Sequence, residues 1–192
     1  MSALFIRLFN LLFFPAKEWK TIAGENKSRK TVYKQFVIPL LCLITVASII
    51  GTYIYTTRVY YSLGYVICEI AVWWTSLSVG LFVSSFFVTE IMAQQLGYKN
   101  HNRDFALMAY SSCAAYLVIT VVVLFPFPYF KMFLVLAFFS FYLYWTGIPY
   151  LIKAESRERT FYGLLSFVII LITYILAYFL FRKIFVELLV SS

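Results

Sequence analysis

Charge is what this 192-residue chain has least of. Only 12% of its residues are charged against 63% that are hydrophobic, and its mean hydropathy is +0.87. That leaves too little polar surface to cover a water-soluble globule, so the expected solvent is lipid. The chain holds one histidine, His101, and one aspartate, Asp104, and both fall at or outside the ends of apolar runs. Intramembrane proteolysis needs paired aspartates, a serine with a histidine base, or a zinc-binding H-E-x-x-H. The chain offers none of these, and it reads as non-enzymatic, with no cofactor and no metal. Cys42, Cys68 and Cys113 stand in apolar context with no CxxC spacing, as expected of small packing residues. The net charge of +8 sits between apolar runs and not in a groove interleaved with stacking aromatics. Anionic lipid headgroups are therefore the expected counter-charge, and nucleic acid is not.

What the chain has in quantity is uncharged sequence long enough to cross a bilayer, which takes about 20 residues in a helix. Five such runs are predicted: Gln35 to Thr57, Tyr65 to Met92, the run within Arg103 to Pro128, Met132 to Ile152, and Thr160 to Phe181. The fold class is thus all-α integral membrane, with five transmembrane helices preceded by a short interfacial helix. Residues 1–34 form an N-terminal segment, 35–181 the membrane domain and 182–192 a short tail that begins at Arg182 and Lys183. Met1 to Phe14 is too short to span and lacks the pattern of a cleaved signal peptide. It is expected to lie along the headgroups with Arg7 and Asn10 facing water. Pro15 then opens a second short helix, with Trp19 seated in the interface and Lys17 and Lys20 against anionic lipid.

Small residues recur on the second run at Ser76, Gly80 and Ser84, with a matching notch at Ala47 and Gly51 on the first. Such stripes let helix backbones approach closely where the hydrophobic effect gives no help, so the first two spans are expected to pack as a hairpin. Glu69 and Glu90 fall at opposite ends of the second span and read as interfacial acids. Twelve Lys and Arg precede the first span or lie in the second-to-third and fourth-to-fifth loops, against four on the other side. By the positive-inside rule this puts the N-terminus in the cytoplasm and the C-terminus outside.

The remaining polar residues that could carry function are Glu90, Arg103, Asp104, Tyr110, Ser111, Ser112 and Cys113. Ser111, Ser112 and Cys113, with Cys42 and Thr120, could line a mildly polar path or simply bond helix to helix.

Pro15-x-x-x-Trp19-x-x-Ile22 before the first span, Arg103 with Ala106-Leu-Met-Ala-Tyr110-Ser111-Ser112 opening the third, the proline turn at Pro126, and Tyr144-Trp-Thr-Gly147-Ile-Pro149-Tyr-Leu-Ile-Lys153 closing the fourth resemble the Yip1 domain family over nearly the whole chain. The resemblance implies a five-helix membrane domain with a cytoplasmic N-terminus. For the eukaryotic members it also implies membrane traffic and contact with Rab GTPases. This chain departs from that branch in its short pre-membrane segment and its lack of an Asp-Leu-Tyr-Gly-Pro motif, and it looks like the compact prokaryotic branch. It also has Cys113-Ala114 where a proline is expected, which leaves a kink in the third helix open. The expected role is a scaffold or adaptor in a bacterial inner membrane, organising lipids or protein partners at the cytoplasmic face. The alternative is a transporter or channel using the polar edges of the second and third helices.

Overall fold

Five helices are long and apolar enough to cross a membrane: Arg29–Tyr53, Gly64–Ile91, His101–Leu124, Lys131–Leu151 and Gly163–Phe185. The structure, a computed structural model, describes residues 2–56, 63–96, 99–125, 128–152 and 156–190. The expected turn at Pro126, the loop residue Arg58, Lys153 and the side chains of Arg157 and Arg159 lie outside the described residues. Within them the chain is helical: α1 (Ser2–Phe13), α2 (Pro15–Glu25), α3 (Arg29–Val32), a π segment (Tyr33–Val37), α4 (Ile38–Thr56), α5 (Leu63–Leu96), α6 (His101–Ser111), α7 (Cys113–Leu124), a 3-10 segment (Pro128–Phe138), α8 (Phe139–Leu151) and α9 (Ser156–Val190).

Local chemistry explains the boundaries. Pro15 begins α2, where a missing N–H is not needed, and Asn26 ends it in the left-handed conformation at φ 43°. Asn100 caps α6 by accepting from the Arg103 amide. The fifth span does not stop at Arg182 and Lys183 as expected. No Pro or Gly interrupts it there, Lys183 pairs with Glu187 one turn on, and α9 continues to Val190. The fourth span also differs from expectation, since its first half is wound as a 3-10 helix, which rises about 2.0 Å per residue and so lengthens the segment.

The small-residue notches admit close neighbours, but not the neighbours expected. The second span lies along the fifth, and the first lies along α7, the second half of the third. A Cβ on Gly51 would run into the main-chain oxygens of Val123 and Leu124, and one on Gly80 would come 2.8 Å from Cδ1 of Tyr174. Ser84 meets Met108 of α6 at 3.7 Å, Ser76 bonds back to its own helix, and Ala47 is buried. The first two spans adjoin as expected but not notch to notch, because a notch specifies that something must fit closely without naming it. The first two spans touch through two polar contacts, Trp74 Nε1 donating to Thr45 Oγ1 at 2.7 Å and Tyr33 against Ser78 at 2.8 Å.

The third span is broken without a proline. The helix is interrupted for one residue at Ser112, whose ψ of −6° departs from the α-helical value although its amide keeps the ordinary helical bond to the Met108 carbonyl. The Ala115 amide then leaves the helical ladder and donates 3.0 Å to Ser140 Oγ of α8. A serine pair together with a side chain inserted into the ladder is enough to interrupt a helix. The missing proline is thus replaced by hydroxyl chemistry.

The core gathers around α6. Every residue from Asp104 to Ala114 is buried, α3, α5, α8 and the π segment pack around it, and Trp19 of α2 reaches Tyr110. Trp19 lies wholly inside this core and not in the interface. Its ring fits where Gly147 has no side chain, since a Cβ there would be 2.7 Å from Cε2 of Trp19, and it meets Tyr110 edge-on at 6.4 Å. The outer surface is apolar, with Ile49, Phe87, Leu176 and Phe179 among the many exposed large side chains. Cys42 also faces outward, Cys68 is half-buried and only Cys113 is fully packed.

Candidate functional site

Two polar assemblies stand on opposite sides of α6. The first joins the N-terminal helices to the bundle. Pro15 folds α2 back on α1, so Arg7 and Asn10 turn toward α2 and not toward water. Arg7 donates to Glu18 at 3.1 Å, forms a two-pronged pair with Glu25, and donates to the Tyr110 hydroxyl at 3.0 Å. Asn10 donates to the second oxygen of Glu18 at 3.0 Å. The guanidinium also lies 5.4 Å from the centre of the Tyr110 ring. Glu18 is buried, and its two oxygens are both satisfied by α1, as a buried charge requires. The Arg7 hydrogen bond holds the Glu25 carboxyl below its ordinary range.

The physical reason for this inward turn is on the other face of α1. Phe5, Ile6, Phe9, Phe13 and Phe14 point outward, and in lipid it is the polar face of an amphipathic helix that must find protein partners. Phe5, Phe9 and Phe13 also border an open apolar groove against Leu117 of α7. Lys17 and Lys20 are exposed on α2.

The second assembly centres on Asp104. Asp104 lies in the first turn of the third span, at the end of its apolar run, but its side chain is fully buried in protein. Among the described residues neither of its carboxylate oxygens has a hydrogen-bond partner. Thr89 of α5 stands beside it, but the Thr89 hydroxyl donates its proton to the Ser85 carbonyl at 2.8 Å. Tyr144 of α8 lies within electrostatic reach of Asp104 and next to Ser166 of α9, and its hydroxyl makes no hydrogen bond. Thr89, Tyr144 and Ser166 are all buried.

The other expected candidates do not form one patch. Glu90 pairs with Lys99 at 2.7 Å on an exposed rim. Arg103 turns away from Asp104 to a cleft between α6 and the end of α2, shared with Lys27 and Asn102 and roomy enough for about one water molecule. Its Nε has no partner among the described residues. Tyr110 belongs to the Arg7 assembly. Ser111 donates to the Met108 carbonyl of its own helix. Ser112 is buried at the break and Cys113 is fully buried, so these side chains are packed inside protein. Among the described residues no three His, Cys, Asp or Glu side chains come together as metal ligands.

Glu18, Glu25, Asn10, Thr89, Tyr144 and Ser166 were not expected from sequence as site residues, although Asn10 was read as facing water and Tyr144 belongs to a stretch that carries the resemblance. The first three carried a signal, since Arg7 and Asn10 share one helical face and Glu18 and Glu25 another, on either side of a helix-starting proline. The last three carried none, being ordinary hydroxyl residues in three separate apolar runs.

No curated protein and no solved structure matches the chain. The family model for the Yip1 domain matches residues 9–178. That match takes in the end of α1, all of α2 and the five apolar helices up to Tyr178, so the chain is an integral membrane protein that belongs to the Yip1 domain family.

Proposed function

We propose that the chain is a non-enzymatic membrane scaffold or adaptor whose α1–α2 pair presents a surface to partner proteins at the cytoplasmic face of a bacterial inner membrane. One observation carries this reading: Arg7 ties the pair to the bundle through Glu18, Glu25 and Tyr110 while the outward face of α1 stays unoccupied by its own chain. The excess of Lys and Arg on the N-terminal side supports the orientation. The packed state of Ser111, Ser112 and Cys113 supports a scaffold over a permeation path.

The test uses a photoreactive residue at Phe9 on α1 and, for comparison, at Ile172 on the outward face of α9. Discrete protein adducts at Phe9 and only lipid adducts at Ile172 are expected in intact cells. Lipid-only adducts at both positions overturn the adaptor reading. Solute flux in proteoliposomes that Ser112→Ala abolishes would support the transport alternative. Removal of residues 1–30 is not a clean test, because it deletes Trp19 from the core.

A further inference from the structure

A buried carboxylate needs a positive charge or several donors around it. Asp104 has neither among the described residues. Its oxygens have no hydrogen-bond partner within reach among the described residues, and the adjacent Thr89 hydroxyl, which bonds the Ser85 carbonyl at 2.8 Å, can turn its one proton to Asp104 only by giving up that bond. While the Ser85 bond is kept, Thr89 offers Asp104 only lone pairs. The Tyr144 oxygen is likewise unpartnered, and Ser166 lies next to it.

Among the described residues, the charged groups of these helices are engaged elsewhere or lie apart from this cluster. On α5, Glu90 is paired with Lys99. On α6, Arg103 faces the α2 cleft, and His101 sits at the half-exposed start of the helix. The described side chains of α8, and those of α9 up to Ser166, carry no charge. Four oxygen-bearing side chains from four helices thus converge with one formal negative charge and an excess of lone pairs. Oxygen ligands of this kind suit a hard cation, and a single carboxylate balances one unit of charge.

We propose that Asp104, Thr89, Tyr144 and Ser166 form an internal site for one monovalent cation, a sodium ion or a proton, held where α5, α6, α8 and α9 meet. This goes beyond the adaptor reading and does not depend on it. Occupancy joins the second, third, fourth and fifth spans through one charge, so bound and unbound forms differ in how firmly those helices are held.

The experiment is thermal unfolding of the full chain in lipid nanodiscs, with sodium chloride replaced by choline chloride at equal ionic strength and repeated over a pH series. If the cation is sodium, the wild-type Tm rises with sodium by roughly 5–10 °C at about 100-fold excess over the dissociation constant. If it is a proton, sodium has no effect, Tm depends on pH, and a protonated-carboxyl infrared band is present. Asp104→Asn removes the sodium dependence or, for the proton, the band together with the pH dependence that remains above the acid range in which Glu25 loses its contribution. Tyr144→Phe keeps the carboxylate and the ring, and it shifts the sodium titration to several-fold higher concentration. That variant serves as the readout if Asp104→Asn does not fold. A wild-type Tm indifferent to sodium and to pH overturns the proposal. So does a dependence that Asp104→Asn leaves unchanged, or Tyr144→Phe where Asp104→Asn does not fold.

Discussion

The third and fifth spans are both apolar, yet they occupy opposite kinds of place. The most apolar window of the fifth has mean hydropathy 2.6 and is 11% buried inside the protein, whereas that of the third has 2.1 and is 50% buried. In water the more apolar helix would be the more central one. In lipid the order reverses, because hydrocarbon accepts Leu176 and Phe179 at no cost, while Asp104, Ser111 and Ser112 must be enclosed by protein. The centre of this bundle is therefore marked by its hydroxyls and its one aspartate, and its rim by its greasiest helix.

The largest expected effect is at the centre. Trp19→Ala empties the space against Gly147 and Tyr110 and should cost about 3–5 kcal/mol, read as a lower thermal midpoint in detergent. A loss below about 1 kcal/mol would show that α2 is peripheral and would break the contrast with the fifth span.

A smaller loss is expected where the N-terminal pair meets the centre. Arg7→Ala leaves Glu18 buried with only Asn10 and should cost about 1.5–3 kcal/mol. The same contact has a pH signature. The Glu25 carboxyl sits below its ordinary value of 4.5 because Arg7 bonds it, so its contribution is complete above that value and is lost as pH falls through the lower folded value. A spin label at Ala3, which is exposed, should become more mobile in acid in the wild type, and already be so at neutral pH in Arg7→Ala.

The smallest effect belongs to the rim. Leu176→Ala in the fifth span trades one lipid-facing surface for another and should change stability by no more than about 0.5 kcal/mol. A loss like that of Trp19→Ala would mean that this face meets protein instead of lipid.

The sequence discloses the five crossings closely, because a crossing is a length and a composition. It also discloses that Gly51 and Gly80 lie at close contacts. It could not say that Gly51 meets Val123 and Gly80 meets Tyr174, since any backbone or flat ring satisfies a notch. Arg7, Asn10 and Trp19 were misplaced for a common reason. Each was assigned to water or interface by its own chemistry, but the fold of α2 upon α1 at Pro15 supplied a protein environment instead. Asp104 was placed at a face by its distance from the apolar run, and Thr89, Tyr144 and Ser166 close over it from three other helices. Such convergence is long-range and leaves no local pattern.

The bond from the Ala115 amide to Ser140 has a mechanical consequence. Apolar helix surfaces in lipid can slide or rotate past one another with little change in energy. A main-chain donor held by one hydroxyl works as an index pin, fixing both the height and the rotation of the fourth span against the third at a single atom.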